Sequence, residues 1–261
     1  MKNVSFDRLV DVVAMLRSKN GCPWDLAQTH ESLKADLIEE AYELIEAIDA
    51  KVPKKICDEL GDLLMQVMLH SQIATDRNEF GVDEVIENLT EKLVRRHPHV
   101  FGSVVATDEN EVLENWEEIK RGEDGNKDRK SSLDGIPHSL PSLQRAEKIQ
   151  KKASRAGFDW DTTEDVLPKL QEEIDEIEES IRNDDITEIE MEIGDLFFSV
   201  VNLCRFLNVQ PEEALRKSTR KFADRFQRME TTLKRTNKTF KDYDLSTLDQ
   251  IWEQVKQQEK A

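Results

Sequence analysis

The sequence writes one acidic pattern twice. EEAYE at 39–43 returns as EEIDE at 172–176, and ELGD at 59–62 returns as EIGD at 192–195, displaced by the same number of positions in both cases. Such a repeat constrains the fold strongly, because the same spacing of polar and apolar residues encodes the same local geometry twice. Other features follow in the same order. Trp24 in GCPWD answers Trp160 in GFDWD, Lys92 and Arg96 answer Lys221 and Arg225, and NWEEIK ending at Lys120 answers IWEQVK ending at Lys256. Between the copies, EDGNKDRKSSLDGIPHSLP is rich in Gly, Ser, Pro and charge and lacks apolar periodicity, so it reads as a linker. The expected organisation is one helical domain over 1–120, a linker over 121–142 and a homologous domain over 143–261.

The fold class expected is all-α. Apolar residues recur three and four apart, as in Leu37, Ala41, Leu44 and Ile48, and again in Ile174, Ile177 and Ile181. With only nine Gly and seven Pro, the chain suits helices better than many short strands and tight turns. Pro53 fits a helix start, and NDDIT at 183–187 supplies turn and N-cap chemistry. Each acidic region is therefore expected to be a helical hairpin.

The acids are placed symmetrically about those breaks. Glu43 and Glu59 are equidistant from residue 51, as are Glu40 and Asp62; Glu176 and Glu192, and Glu173 and Asp195, are equidistant from residue 184. In an antiparallel hairpin, residues equally far from the turn lie side by side, so the carboxylates of both helices converge at one level. Unscreened carboxylates raise one another's pKa and oppose folding, a conflict that a cation removes. Neutralising acids in either set is thus expected not to lower the melting temperature without metal. All-carboxylate ligation favours Mg²⁺ or Mn²⁺ over zinc, and no His stands three residues after a Glu, as di-iron bundles require. The Gly before each Asp lowers helix propensity by about 1 kcal/mol, and is read as permitting close helix approach or access to the metal.

The formal charge of −18 argues against a nucleic-acid footprint. Cys22, Cys57 and Cys204 form no CxxC pair and fit reduced thiols. No stretch approaches the roughly 20 apolar residues needed to span a bilayer, so a cytoplasmic protein without membrane partners is expected. His97 and His99 in RRHPHVF are read as structural rather than as a metal pair, and GCPWD and GFDWD as packing motifs at helix entries. Lys148, Lys151, Lys152 and Arg155 read as a solvated basic face. Exposed Phe197, Val200 and Val201 on a hairpin point to a homodimer that completes the bundle.

EExxE followed by ExGD, the tandem copy, GCPWD, RRHPHVFG, GFDW and the final Trp-x-x-x-Lys together resemble the MazG nucleoside triphosphate pyrophosphohydrolases in their full-length form. The resemblance implies an all-α fold related to dimeric dUTPases and phosphoribosyl-ATP pyrophosphatases, Mg²⁺ dependence, cleavage of a nucleoside triphosphate to its monophosphate and pyrophosphate, and a role in cleansing the nucleotide pool. It implies metal ligands among Glu172, Glu173, Glu176, Glu192 and Asp195, with a second set at Glu39, Glu40, Glu43, Glu59 and Asp62. Glu173, Lys221, Arg225 and Lys256 are the expected catalytic groups, and Lys169, Glu172, Asn202, Lys221, Arg225, Trp252 and Lys256 the expected substrate contacts.

Two contrasts favour the second half as the main catalyst. Asn202, seven residues after Asp195, is replaced by Leu69 in the first half, and Trp252 and Lys256 lie in a free C-terminal segment whereas Trp116 and Lys120 run into the linker. A narrower dUTP or phosphoribosyl-ATP pyrophosphatase, and a non-enzymatic acidic helical scaffold, are the rival readings.

Overall fold

The computed structural model describes residues 5–123, 130–235 and 238–259, and no strand occurs among them. Residues 124–129 of the expected linker lie outside the described residues. The chain divides into two compact units, Met1–Lys127 and Asp128–Ala261.

The first unit contains α1 (Phe6–Leu16), α2 (Pro23–Ala27), α3 (Lys34–Ala50), α4 (Pro53–Asp76), α5 (Val82–Arg96), α6 (Pro98–Phe101) and α7 (Glu109–Gly122). The second contains α8 (Ser142–Arg155), α9 (Thr163–Asn183), α10 (Ile186–Phe206), α11 (Pro211–Arg235), a 3₁₀ turn (Phe240–Asp242) and α12 (Leu245–Gln258). Packing repeats as the sequence does. In the first unit α3 lies along α4, α1 packs on α4 and α5 on α7; in the second α9 lies along α10, α8 packs on α10 and α11 on α12.

Both hairpins reverse where the symmetry of the acids places the turn. Lys51 (φ 53°) and Asp184 (φ 54°) adopt the left-handed conformation that ends α3 and α9. Pro53 then opens α4, and the Asp185 carboxylate caps α10 by accepting from the backbone N–H groups of Thr187 and Glu188 at 3.1 Å. Asn78 and Asn208 supply a second pair of left-handed residues, just beyond the far ends of α4 and α10. Asparagine tolerates that conformation better than most residues.

The first unit is held by Val13, Leu33, Met68, Leu69 and Ile73, each at most 3% exposed, with Leu9, Val10 and Val82 packed against them. Burying such side chains contributes about 1.5–3 kcal/mol each. Arg17 fastens the α1–α2 corner to the end of α4, through an ion pair to Asp76 at 3.0 Å and bonds to the carbonyls of Asp25 and Gln28. In the second unit Val166, Val201, Met229, Leu233 and Val255 are buried.

Three expectations need correction. Phe197 and Val200 are exposed as expected, but Val201 is fully buried, because it turns inward at the next position of α10. Trp24 (57% exposed), in the first turn of α2, and Trp160 (48%), ahead of α9, are about half open to solvent, so the packing expected of GCPWD and GFDWD at helix entries is only partial. A Cβ added at Gly61 or Gly194 would meet nothing within 4 Å, so of the two roles expected for these glycines a close helix approach within the chain is ruled out, and access to a metal is the one left.

Candidate active site

The hairpin geometry brings one carboxylate set together in each unit. Oxygens of Glu173, Glu192 and Asp195 lie within 4.8 Å of one another, as do those of Glu40, Glu43 and Glu59. Glu40 corresponds to Glu173 and Glu59 to Glu192, so two members are shared; the third is an Asp on α10 in one unit and a Glu on α3 in the other. The remaining acids stand at the edge of each cluster or outside it. Glu172 and Glu176 line an open groove along α9 with Pro168, Gln171 and Arg182, and Glu39 is exposed on α3. Glu176 and Asp62 stay close enough to push up the carboxyls of Glu192 and Glu40, respectively.

Electrostatics distinguish the two clusters. In the first unit burial raises the Glu40 carboxyl above its ordinary range, and Asp62, Glu43 and Glu59 raise it further. Burial, then Glu43 and Asp62, raise Glu59 in the same way. In the second unit burial, Glu176 and Asp195 raise Glu192. There, however, a cation reaches the cluster: Lys169 Nζ lies 3.0 Å from Glu173 and 3.1 Å from Glu172. The hydrogen bond to Glu173, then that to Glu172, raises the lysine well above its usual range. The corresponding residue of the first unit is Asp36, which adds charge of the same sign as the cluster. Glu173 is 3% exposed, and Ser199 Oγ lies 3.5 Å from its Oε1. A carboxylate so withdrawn from water needs such partners or a cation.

The other expected groups collect on α11 and α12. Arg225 lies over the Trp252 ring at 5.8 Å and pairs with Glu259; Lys256 pairs with Glu253 three residues earlier. Lys221 is exposed on α11. No ion pair joins Lys221, Arg225 or Lys256 to the carboxylate cluster among the described residues. Asn202 is half-buried on α10, and its Oδ1 accepts from Arg205 at 3.1 and 2.8 Å. Leu69, its counterpart, is 1% exposed and belongs to the core of the first unit.

Sequence reasoning missed an aromatic row and a histidine pair. Phe222 packs against Trp252 (5.1 Å between centroids), and Phe226 stacks on Phe240 (4.6 Å). KFADRF held the signal, since each Phe directly follows a candidate phosphate-binding cation. His30 and His70 stack with Nδ1 atoms 2.7 Å apart, a contact across 40 positions that no local pattern announces. His97 Nδ1–H donates to the Leu93 carbonyl at 2.7 Å, and neither His97 nor His99 belongs to a cluster of three metal-ligating side chains among the described residues.

Duplicated helical hairpins with convergent carboxylates define an all-α protein of tandem acidic hairpins, and in the second unit cations and an aromatic row stand on α11, α12 and the 3₁₀ turn between them. The model of the MazG nucleotide pyrophosphohydrolase domain matches residues 28–101 and 161–229. A Thermotoga maritima protein, the nucleoside triphosphate pyrophosphohydrolase/pyrophosphatase MazG, is 47% identical over 97% of this chain and 96% of its own. The nucleoside triphosphate pyrophosphohydrolase of Escherichia coli K12 is 42% identical over 97% of each chain, and the Bacillus subtilis protein YabN is 44% identical over 98% of this chain and 52% of its own. The chain belongs to the MazG family.

Proposed function

We propose that this chain hydrolyses nucleoside triphosphates to nucleoside monophosphate and pyrophosphate, with the second unit as the main catalyst and cleansing of the nucleotide pool as its role. Family membership along nearly the whole chain supports the reaction. The observation that carries the assignment of the site is the convergence of Glu173, Glu192 and Asp195 within 4.8 Å on the α9–α10 hairpin.

The donor set fits a hard divalent ion: oxygen only, crowded, and with a carboxyl raised by burial and like charge in the manner that a cation would relieve. Glu173, Glu192 and Asp195 would hold Mg²⁺, with Glu172 and Glu176 at the groove beside them; Mn²⁺ would substitute. Bound there, the ion would polarise phosphoryl oxygens and lower the pKa of water. Lys169 holds Glu173 and Glu172 in place and partly offsets their charge. Lys221, Arg225 and Lys256 supply positive charge for the triphosphate and for the pyrophosphate that leaves, where phosphoryl transfer needs it. Trp252 and Phe222 offer faces for the base, and Asn202 offers amide donors.

Exposed Phe197 (59%), Phe198 (42%) and Val200 (41%) on α10 support a homodimer that covers this face. Among the described residues, no helix is long and apolar enough to cross a membrane, which accords with a cytoplasmic setting.

The test is a panel of canonical and damaged NTPs and dNTPs assayed with Mg²⁺ for monophosphate and pyrophosphate. Monophosphate and pyrophosphate in equal amounts, lost with chelator, are expected. Diphosphate and inorganic phosphate as products, or full turnover in excess EDTA, would overturn the reading. Turnover of dUTP or phosphoribosyl-ATP alone would mark the narrower enzyme.

A further inference from the structure

Glu259 stands at the C-cap of α12, the end of a helix where the dipole disfavours an anion. Cations of α11 hold it there. Arg225 donates to its Oε2 from Nε at 3.0 Å and from Nη2 at 2.7 Å, and Arg228 Nη1 lies 3.8 Å from its Oε1. The side chains of Arg225 and Glu259 are only 17% and 22% exposed. Glu259 thus occupies the Nε–Nη2 edge of the guanidinium, while Nη1 makes no hydrogen bond among the described residues. A planar guanidinium fixed along one edge presents the other in a set direction.

The first unit builds the same arrangement. Glu123 accepts from Arg96 Nε at 2.9 Å and Nη2 at 2.5 Å, and the Arg96 guanidinium lies over Trp116 at 4.8 Å. Glu follows Trp by the same interval in both copies, from 116 to 123 and from 252 to 259, about two helical turns. An accidental surface ion pair would not recur with the same three residue types in the same order. Each arrangement also crosses between two helices, α5 to the segment following α7 and α11 to the end of α12, so it fixes one helix against the other.

We propose that Glu259 is a positioning residue for the nucleotide: it orients Arg225 over Trp252 and ties α12, with Trp252 and Lys256, to α11, with Lys221. This rests on the reading above that Arg225 and Trp252 meet the substrate. Glu259 does not touch substrate itself, since a carboxylate beside phosphate would repel it. Its contribution is to spare the substrate the cost of ordering the arginine and the two helices at the moment of binding.

The test is steady-state kinetics of the full chain with Mg²⁺ and each of the four ribonucleoside triphosphates, for Glu259→Gln, Glu259→Ala, Arg225→Ala and the double variant Arg225→Ala/Glu259→Ala, together with melting curves. Loss of the anchor is expected to raise KM about tenfold, equivalent to about 1.4 kcal/mol, with kcat within about twofold and only a small fall in melting temperature. The double variant is expected to be no worse than Arg225→Ala, because Glu259 acts through that arginine. Glu259→Gln keeps the shape of the side chain and carries the test if the alanine variant misfolds. An unchanged KM in both Glu259 variants beside a raised KM in Arg225→Ala would overturn the inference alone. A lowered KM would overturn it too, by showing that the carboxylate competes with phosphate for the arginine, and additive losses in the double variant would place its action elsewhere. An unchanged KM in Arg225→Ala would instead remove the phosphate-binding reading, and the inference with it.

Discussion

Gly194 stands inside α10 between Ile193 and Asp195, one residue from the carboxylate cluster, and Gly61 holds the same place in α4. Glycine in a helix interior costs about 1 kcal/mol relative to alanine, because it gives up more backbone freedom on folding. A new Cβ at either position meets no atom within 4 Å, so no steric term offsets that gain. Gly194→Ala and Gly61→Ala should each stabilise the metal-free chain by about 1 kcal/mol, a rise in melting temperature of roughly 4 °C for a unit of this size. Circular dichroism at 222 nm in the presence of EDTA measures it. The open space at Gly194 lies beside the proposed catalytic cluster, so a methyl group there should also raise KM for NTP or lower kcat, while Gly61→Ala should leave turnover almost intact. A fall in melting temperature on either substitution would refute the reasoning, by showing that the glycine accommodates something the packing of the chain itself does not contain. Unchanged kinetics in Gly194→Ala would refute the claim that the space serves the substrate.

Glu40→Gln relieves an acid crowded by Asp62, Glu43 and Glu59, so it should raise the metal-free melting temperature and leave most turnover; Glu173→Gln breaks the 3.0 Å pair with Lys169, so, against the expectation from carboxylate repulsion alone, it should lower that temperature slightly and reduce turnover by orders of magnitude. Equal losses of activity would show that both units work, and equal rises in melting temperature would refute the role given to Lys169. Hydrogen bonds from Arg96, then Arg95, hold the Glu123 carboxyl down at about 2. A carboxyl lowered on folding contributes stability that is present above its unfolded pKa and is lost as pH falls from about 4.5 toward 2, so Glu123→Gln should flatten the acid limb of a melting-temperature profile over that window. Burial, then His30, lowers the His70 imidazole below its usual value, so the pair should lose stability as pH falls through about 6.5. His70→Leu, which installs the residue type found at Leu203, should remove that sensitivity, as a guanidinium titration at pH 5.5 and 7.5 would show.

The duplication, the helical class and the turns were written in local pattern. Apolar spacing of three and four, Pro53, Asp185 and the symmetric acids depend only on neighbours along the chain, and the left-handed residues Lys51 and Asp184 fall at the two midpoints. The convergence of Glu173, Glu192 and Asp195 was legible for the same reason, since a hairpin turns sequence distance from its turn into level along the bundle. Which of the five acids in each set close into the cluster was not legible, because the packing of α9 on α10 decides that Glu173 is buried while Glu172 lines the open groove. Tertiary packing decided that Val201 turns inward and that Gly194 faces open space, whereas Lys169 meets Glu173 four residues along α9, a local pairing. It also decided the pairing of Arg225 with Glu259 and of His30 with His70, contacts across 34 and 40 positions. Composition and periodicity fix a residue's place on its own helix, whereas a long-range partner is chosen by how several helices share one core, and that choice is energetic over the whole unit rather than local to any stretch of it.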